Sequence, residues 1–226
     1  MGTRSDGALR ALGEAAAAYV EKGMNVGLGT GRAATAFVHA LAARRLSIVC
    51  VATSEATRRL AESLGLSLTT LAEAGELDLT VDGADEVDPR LDLIKGLGGA
   101  LVREKIVAAS SRRLVIVVGA EKIVDRLGVR TPLPVEIVPF GVALCERRLG
   151  ELGARPVLRS TPSGPFVSDN GNHILDCGFE GIDAPAALDR AIHEIPGVVG
   201  TGLFVGMAER VLVAEAGAVR VREQAP

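Results

Sequence analysis

The chain has 226 residues, of which 48% are hydrophobic, enough for one large domain or a domain with a smaller lobe. Aromatic residues make up 3% and the formal net charge is -3, which excludes a base-stacking platform and a basic nucleic-acid surface. The N-terminal residues lack the apolar core of a signal peptide, and no apolar run approaches the ~20 residues that span a bilayer. We therefore expect a cytoplasmic protein with no membrane or nucleic-acid partner.

The three cysteines, Cys50, Cys145 and Cys177, are isolated and odd in number. This pattern indicates neither a disulfide framework nor a CxxC metal site. The three histidines are far apart and show no ligand spacing. We expect buried neutral thiols and no metal site.

Helical spacing of apolar positions alternates with short apolar runs through the first half of the chain. In chain order the pattern predicts a helix over 8–21, a strand at NVGLG, a helix over TGRAATAFVHALAARR, a strand at SIVCVAT, a helix capped by Ser54, strands at LSLTTL and DLTVDGAD, a helix over 101–110 and a strand at LVIVVG. Strands that alternate with helices predict an α/β, Rossmann-like, mainly parallel sheet with helices on both faces.

The pattern changes near TPLPVEIVPF, where prolines punctuate the chain. Helices over 141–152 and 184–194 then alternate with strands at RPVLR, HILDCGF and VVGTGLF, and the turn DNGN precedes the second of these strands. This content predicts a smaller α+β lobe of the ferredoxin-like type over 131–205. Residues 1–130 and 206–226 are assigned to the Rossmann-like domain, with VLVAE and VRVRE returning to its sheet.

The stretch GLGTGRA follows a predicted strand and opens a helix. Backbone N–H groups at such a junction bind phosphate, and glycine lets the ligand approach closely. A dinucleotide site would need an acidic residue at the end of the second strand, where Thr53 and Ser54 stand instead. We expect the phosphate of a small metabolite, the alternative being a strand-to-helix turn without a ligand.

The segment DGADEVDPRLDLIKGLGGALVRE places Asp82 and Asp85 after the end of an apolar strand, where open α/β sheets bind ligands. Paired carboxylates suit the hydroxyl groups of a sugar, although an Asp-x-x-Asp pair can also hold Mg²⁺. Lys95 precedes a glycine turn, and Glu104 lies early in the following helix. A carboxylate base and a cation without a cofactor motif suit proton abstraction next to a carbonyl group.

Eight segments carry a resemblance to a known family over nearly the whole chain. They are GLGTGRAA, TSEAT, VDGADEVD, IKGLGGALVREK, GAEKIVDRLG, LPVEIVP, DNGNHILD and IPGVVGTGLF. In this order they resemble ribose-5-phosphate isomerase, type A. The resemblance implies an aldose–ketose isomerase of the non-oxidative pentose phosphate pathway. It interconverts D-ribose 5-phosphate and D-ribulose 5-phosphate through an enediolate, without metal or cofactor.

The resemblance also implies roles for single residues. Glu104 matches the catalytic base, Asp82 and Asp85 match residues that hold sugar hydroxyls and assist ring opening, and Lys95 matches the lysine that stabilises the enediolate oxygen. Further substrate contacts are expected at Thr30, Gly31, Arg32, Ala33, Gly83, Ala84, Gly96, Leu97, Gly98 and Lys122. Family members are commonly dimers or tetramers, so a homodimer or homotetramer is expected.

Two positions depart from the family pattern. The usual phosphate loop TGST reads TGRA here, which removes two hydroxyl donors and adds the guanidinium of Arg32. We expect altered phosphate anchoring, because arginine binds phosphate bidentately, unless Arg32 points to solvent. The usual KGGGA reads KGLGGA, and Leu97 would be strained if its position needed a positive φ.

Other classes of function remain open from sequence. A sugar-phosphate-sensing domain of a transcriptional regulator would need a DNA-binding helix-turn-helix and would lack the base, and neither condition is met. A related sugar-phosphate deaminase or a CoA-transferase-like enzyme shares a similar glycine loop.

Overall fold

The computed structural model describes residues 2–215 and 218–223. The chain divides into two compact units. The first contains Met1–Ala84, Arg103–Ile123 and Met207–Pro226, and the second contains Asp85–Val102 and Val124–Gly206. The expected division differs, because it assigned 85–102, 124–130 and residue 206 to the first domain. Residues 1, 216, 217 and 224–226 of the expected first domain lie outside the described part.

The elements are as follows in chain order. The α-helices are α1 (Gly2–Ala17), α2 (Arg32–Ala43), α3 (Glu55–Ser63), α4 (Leu71–Ala74), α5 (Leu101–Ala109), α6 (Val142–Glu151) and α7 (Pro185–His193). The strands are β1 (Asn25–Leu28), β2 (Val49–Ala52), β3 (Leu79–Asp82), β4 (Glu86–Val87), β5 (Leu93–Ile94), β6 (Leu114–Gly119), β7 (Leu133–Ile137), β8 (Arg155–Leu158), β9 (Ser160–Thr161), β10 (Gly164–Pro165), β11 (His173–Gly178), β12 (Val198–Thr201), β13 (Leu203–Phe204), β14 (Arg210–Glu215) and β15 (Ala218–Glu223).

The first unit is built on a six-stranded sheet of order β15-β14-β6-β3-β1-β2. All neighbouring strands are parallel except the β14–β15 pair at one edge, which is antiparallel. The mainly parallel sheet is therefore confirmed, and so is the return of VLVAE and VRVRE to it. The carboxyl ends of β1, β3 and β6 lie side by side at one edge of this sheet.

Both faces of the sheet are covered by helices. On one face Leu12 of α1 and Phe37 of α2 share a core with Leu28 and Val81. Val107 of α5 belongs to a separate cluster, and a Cβ built on Gly27 would lie 2.7 Å from its Cγ1 atom. Successive residues of a strand point to opposite faces of the sheet. Leu28 faces α1 and α2 and the adjacent Gly27 faces α5, so α5 lies on the other face of the sheet from α1 and α2.

The second unit contains a four-stranded antiparallel sheet of order β12-β7-β11-β8. Its elements follow the chain as β7-α6-β8-β11-α7-β12, which is the ferredoxin-like βαββαβ arrangement. The predicted lobe is confirmed in type. A core of Val135, Ile137, Cys145, Leu175 and further apolar residues joins the sheet to its helices.

A smaller antiparallel sheet of order β13-β5-β4 completes the second unit. Sequence reading predicted one strand over VVGTGLF, whereas the structure has β12 and β13 in two different sheets with Gly202 between them. A Cβ on Gly202 would lie 2.2 Å from the carbonyl oxygen of Lys95, so only glycine fits. The chain passes from one sheet to the other at this residue.

Two further predictions of elements were wrong, and one strand was not predicted. LSLTTL is not a strand, because Leu68 forms only an isolated bridge with Cys50 and α4 follows at once. LPVEI, to which the sequence pattern assigned no element, is an interior strand despite Pro134, whose carbonyl accepts a 2.7 Å hydrogen bond from Gly202 N. Helix α1 begins at Gly2, earlier than predicted.

The DNGN turn is held by a buried carboxylate rather than serving as a simple hairpin. Glu136 of β7 is 0% exposed, and its Oε1 atom accepts hydrogen bonds at 2.9 Å from each of Ser168, Asn170 and Asn172. The β9–β10 hairpin stands between β8 and this turn. The predicted turn is therefore present, but it does not by itself connect the two paired strands.

All three thiols are buried and reduced, as expected. Burial raises the pKa of Cys50 and of Cys177 to about 12 and also raises that of Cys145. Among residues 2–215 and 218–223, no helix combines the length and the apolar character needed to cross a bilayer.

Candidate active site

The glycine loop of the first unit is tied to the sheet by Asp82. This residue ends β3, is 1% exposed, and its Oδ1 atom accepts hydrogen bonds from Thr30 N at 3.0 Å and Gly83 N at 2.7 Å. A Cβ on Gly29 would lie 2.2 Å from Asp82 Oδ1 and 2.5 Å from its Cα. Glycine at 29 is therefore needed for close approach to the carboxylate, whatever the loop binds.

A cluster of hydroxyl groups at the end of β2 and the start of α3 also holds this loop. Thr30 Oγ1 lies 2.8 Å from Thr53 Oγ1, 2.8 Å from Ser54 Oγ and 3.1 Å from Thr57 Oγ1. Thr57 in turn donates to the carbonyl oxygen of Gly29 at 3.0 Å. The Thr30 side chain is thus engaged within the protein, and the polar ending of β2 serves to brace the loop.

Helix α2 begins directly after this loop and presents its N-terminus without a side-chain cap. Gly31 occupies the N-cap position with φ 103°, a conformation that favours glycine. The first backbone N–H groups of a helix have no partner inside the helix and carry the positive end of its dipole. Arg32 is exposed and Ala33 half-buried at this end, so the helix start can accept an anion.

Glu104 lies in the first turn of α5 and is 5% exposed. It precedes Val107 by three residues, so both lie on one helix face, and Val107 contacts the sheet at Gly27. The end of α5 lies at the amino ends of the strands, because Leu77 N donates to Ser110 O at 2.8 Å. Glu104 therefore faces the sheet toward its carboxyl ends, on the side of Gly29.

Arg103, which precedes Glu104, forms an ion pair with Glu55 of α3. Its Nη1 atom lies 3.2 Å from Glu55 Oε1. Hydrogen bonds from Arg58, which has the larger effect, and from Arg103 lower the pKa of Glu55 below its ordinary value.

Lys122 ends a 3-10 turn after β6 and is half-buried, at the same sheet edge as Asp82. Ala84 follows Gly83 at that edge and is half-buried as well.

In the second unit Asp85 holds the turn that follows Lys95. Its backbone N–H donates to Ile94 O at 2.8 Å, and its Oδ2 atom accepts from Leu97 N at 3.0 Å. A carboxylate has about four lone-pair sites, so it can accept further hydroxyl groups. Lys95 is 2% exposed, and its Nζ atom lies 5.4 Å from the ring centroid of Phe204, within cation–π range.

Two glycines of the turn after Lys95 have a positive φ, which favours glycine. Gly96 has φ 104° and Gly99 has φ 85°. Leu97 is not among the described residues with positive φ, and its side chain is 41% exposed. The replacement of glycine by Leu97 therefore carries no backbone strain, and Leu97 and Gly98 lie at the surface of the turn.

Each unit thus gathers part of the predicted set. The first unit holds the loop residues Thr30 to Ala33, the strand-end residues Asp82 to Ala84, and Glu104 and Lys122. The second unit holds Asp85, Lys95, Gly96, Leu97 and Gly98. No group of three or more His, Cys, Asp or Glu residues in the described ranges is arranged to bind a metal ion.

Comparison with known proteins now gives the family. The family model for ribose 5-phosphate isomerase A (phosphoriboisomerase A) matches residues 49–217. The chain belongs to this family. A ribose-5-phosphate isomerase A of Roseiflexus castenholzii is 56% identical, with 91% of this chain and 90% of the relative covered. One from Gloeobacter violaceus is 54% identical, with 89% and 90% covered.

Solved structures of ribose 5-phosphate isomerases share the whole fold. The enzyme of Methanocaldococcus jannaschii has a TM-score of 0.93 at 36% identity, with 98% of this chain and 100% of that chain covered. A D-ribose-5-phosphate isomerase in complex with phospho-erythronic acid has a TM-score of 0.94 at 33% identity, with 99% and 100% covered. The similarity therefore spans both units of this chain.

Sequence reading missed several residues that shape these loops. Thr57 and Phe204 gave no signal, because a hydroxyl in a helix and a phenyl ring in a strand are ordinary in those places. Arg159 was also missed, although its Nη1 atom donates to the carbonyl oxygens of Gly96 and Leu97 at 3.0 Å and 3.1 Å. Its partners are distant in sequence, and only the fold brings them together.

The close approach of Gly29 and Asp82 gives a stability prediction. We expect Gly29→Ala to lower the free energy of unfolding by about 1–3 kcal/mol, because its Cβ would overlap Asp82 atoms including the backbone. Gly150→Ala, in α6 with nothing within 4 Å of an added Cβ, is the matched control and should be neutral or stabilising. Urea unfolding of both variants measures the difference, and equal stabilities would contradict the steric argument.

Proposed function

We propose that the chain is an aldose–ketose isomerase that interconverts D-ribose 5-phosphate and D-ribulose 5-phosphate through an enediolate. Membership of the ribose 5-phosphate isomerase A family, with 56% identity over 91% of the chain to one member, is the observation that carries this proposal. A similar isomerase bound to phospho-erythronic acid supports a phosphorylated sugar as the ligand. The reaction would belong to the non-oxidative pentose phosphate pathway.

Glu104 is proposed as the catalytic base. In the open-chain aldose its carboxylate would take the proton from C2, and the electron pair would form the C1–C2 double bond of an enediolate. Return of the same proton to C1, together with transfer of the hydroxyl proton from O2 to O1, gives the ketose. Support comes from the burial of Glu104 and from its position on the sheet-facing side of α5, since a base must be held close to the proton it removes.

Lys95 is proposed to stabilise the negative oxygen of the enediolate. A buried ammonium group aimed at developing charge acts more strongly than one in water, because the surrounding medium screens it less. Lys95 is 2% exposed, which supports this role. Asp82 and Asp85 are proposed to accept hydrogen bonds from sugar hydroxyls and to assist ring opening, with Lys122 as a further substrate contact.

The phosphate is proposed to bind at the start of α2, at Thr30, Gly31, Arg32 and Ala33. The uncapped helix terminus supplies backbone N–H groups, and the guanidinium of Arg32 adds a positive charge where the family has hydroxyls. Gly83, Ala84, Gly96, Leu97 and Gly98 are proposed to line the remainder of the ligand.

We also propose that the chain acts in the cytoplasm as a homodimer or homotetramer. Phe140 is fully exposed in the second unit, and Val157 is 64% exposed, which gives that unit apolar surface for contact with a second copy. Light scattering of the purified chain measures its mass directly, and a monomer at all concentrations would contradict this assembly.

The role of Glu104 can be tested by Glu104→Gln. This change keeps the size of the side chain but removes the base, so we expect kcat for ribulose 5-phosphate formation to fall by about 10²–10⁴-fold. Glu62→Gln, at an exposed position of α3, is the control and should retain full turnover. Full turnover of Glu104→Gln would remove the residue from its proposed role.

The role of Arg32 can be tested by Arg32→Ala. Loss of the guanidinium should raise KM for ribose 5-phosphate several-fold and leave kcat little changed, because the phosphate does not react. Arg45→Ala, in the turn after α2 and also exposed, serves as the control. An unchanged KM would mean that the helix start holds the phosphate through backbone groups alone.

A metal-free mechanism gives a further prediction. Incubation of the active enzyme with EDTA, followed by removal of the chelator, should leave kcat and KM unchanged, because Lys95 is assigned the charge that a metal ion would otherwise supply. Loss of activity that is restored by added Mg²⁺ would replace this assignment.

A further inference from the structure

Arg159 connects the ferredoxin-like sheet to the turn that follows Lys95. It comes directly after β8, and its side chain is 13% exposed. Its Nε and Nη2 atoms donate to the two carboxylate oxygens of Asp176 on β11, at 2.9 Å and 2.5 Å. Such a bidentate pair fixes the plane of the guanidinium group. The remaining Nη1 atom is thereby directed at the carbonyl oxygens of Gly96 and Leu97.

The peptide unit between Gly96 and Leu97 is held at both of its polar ends. Its carbonyl oxygen accepts from Arg159 Nη1 at 3.0 Å, and its N–H donates to Asp85 Oδ2 at 3.0 Å. Gly96 has φ 104°, and glycine permits rotation of the adjoining peptide at little steric cost. Without the hydrogen bond from Arg159, this peptide is free to rotate and to withdraw its N–H from Asp85.

A hairpin residue completes the support. The guanidinium carbon of Arg159 lies 5.6 Å from the ring centroid of Phe166, which follows β10. A Cβ on Gly99 would lie 2.4 Å from Cζ of the same ring, so the ring packs directly against the backbone of the turn. Arg159 and Phe166, which flank the β9–β10 hairpin, therefore brace both ends of the segment 96–99.

We infer that Arg159, oriented by Asp176, is a positioning residue for the isomerase reaction. It fixes the 96–97 peptide, and that peptide fixes the carboxylate of Asp85 and the main chain next to Lys95. Arg159 itself is assigned no contact with the substrate. The inference rests on the function proposed above for Asp85 and Lys95.

The arrangement needs arginine in particular. Two nitrogen atoms of the guanidinium bind the carboxylate of Asp176, and the third binds the two carbonyl oxygens of the turn. A lysine ammonium is a compact charge without this planar fork, and it cannot hold both groups in a fixed orientation. Lysine at 159 should therefore keep the charge and lose much of the orientation. Small displacements of catalytic groups reduce rates by up to about 10²-fold.

The test compares Arg159→Ala, Arg159→Lys and Asp176→Asn with the control Arg155→Ala. Arg155 begins β8, the strand that precedes Arg159, and its ion pair with Glu180 is exposed, with the side chains 66% and 90% accessible. For Arg159→Ala we expect kcat to fall by about 10–100-fold and KM to change less, because Lys95 acts on charge that develops in the transition state. Arg159→Lys and Asp176→Asn should lie between this variant and the wild type, and Arg155→Ala should match the wild type.

Two readouts separate positioning from a merely structural role. Guanidinium ion at non-denaturing concentration should restore part of kcat to Arg159→Ala and leave kcat of Arg155→Ala unchanged. Hydrogen exchange of the Leu97 amide should be faster in Arg159→Ala than in the wild type. If Arg159→Ala does not fold, Arg159→Lys and Asp176→Asn carry the same measurements.

The outcomes are distinguishable from those of the proposed function. A wild-type chain that does not isomerise ribose 5-phosphate refutes that function, and amide exchange at Leu97 then still tests the contact made by Arg159. An active wild type with unchanged kcat and unchanged Leu97 exchange in Arg159→Ala overturns the inference. Equal losses in Arg159→Ala and Arg159→Lys, with lower Tm and no rescue by guanidinium, also overturn it in favour of a structural role.

Discussion

The buried carboxylate of Asp82 is the contact on which the glycine loop of the first unit depends. It ends a central strand, accepts the N–H groups of Thr30 and Gly83, and leaves no space for a side chain at Gly29. A charged group this deeply buried is tolerated only when hydrogen bonds replace its water. The same bonds that satisfy the carboxylate therefore also set the path of the loop that leads into α2.

The second unit uses carboxylates in the same way, as acceptors of backbone N–H groups. Glu86 is 0% exposed and accepts from Gly128, Arg130 and Thr131 at 2.6–2.8 Å. Asp85, its neighbour in sequence, accepts from Leu97. The acidic run DGADEVD, which resembles a solvated loop in the sequence, is thus largely a set of internal acceptors that hold loops in place.

Much of the fold could be predicted because its signals are local. Ser54 caps α3 as predicted, accepting from Thr57 N, and Glu104 lies in the first turn of α5. The failures had a common cause in tertiary context. The segment around Pro134 was assigned no strand, but the carbonyl of Pro134 still pairs with Gly202. LSLTTL has strand-like composition but only one bridge partner.

The candidate site was predictable to the extent that its residues resemble a family motif. Burial of Lys95 and Glu104 was not, since it depends on what packs over them. Whether Leu97 is strained depends on its backbone conformation, and the positive φ values in this turn fall on Gly96 and Gly99 instead. Arg159 could not be found from sequence, since its acceptors lie 62 and 63 residues away.

The passage of the chain through Gly202 has a consequence for biosynthesis. Lys95 follows β5, whose outer neighbour is β13, a strand made of Leu203 and Phe204. As the polypeptide emerges from the ribosome, β4 and β5 have only each other, and an isolated two-stranded hairpin is marginally stable in water. The three-stranded sheet beside Lys95 is thus complete only after about a hundred further residues have been translated, when β13 follows β12 and becomes its third strand.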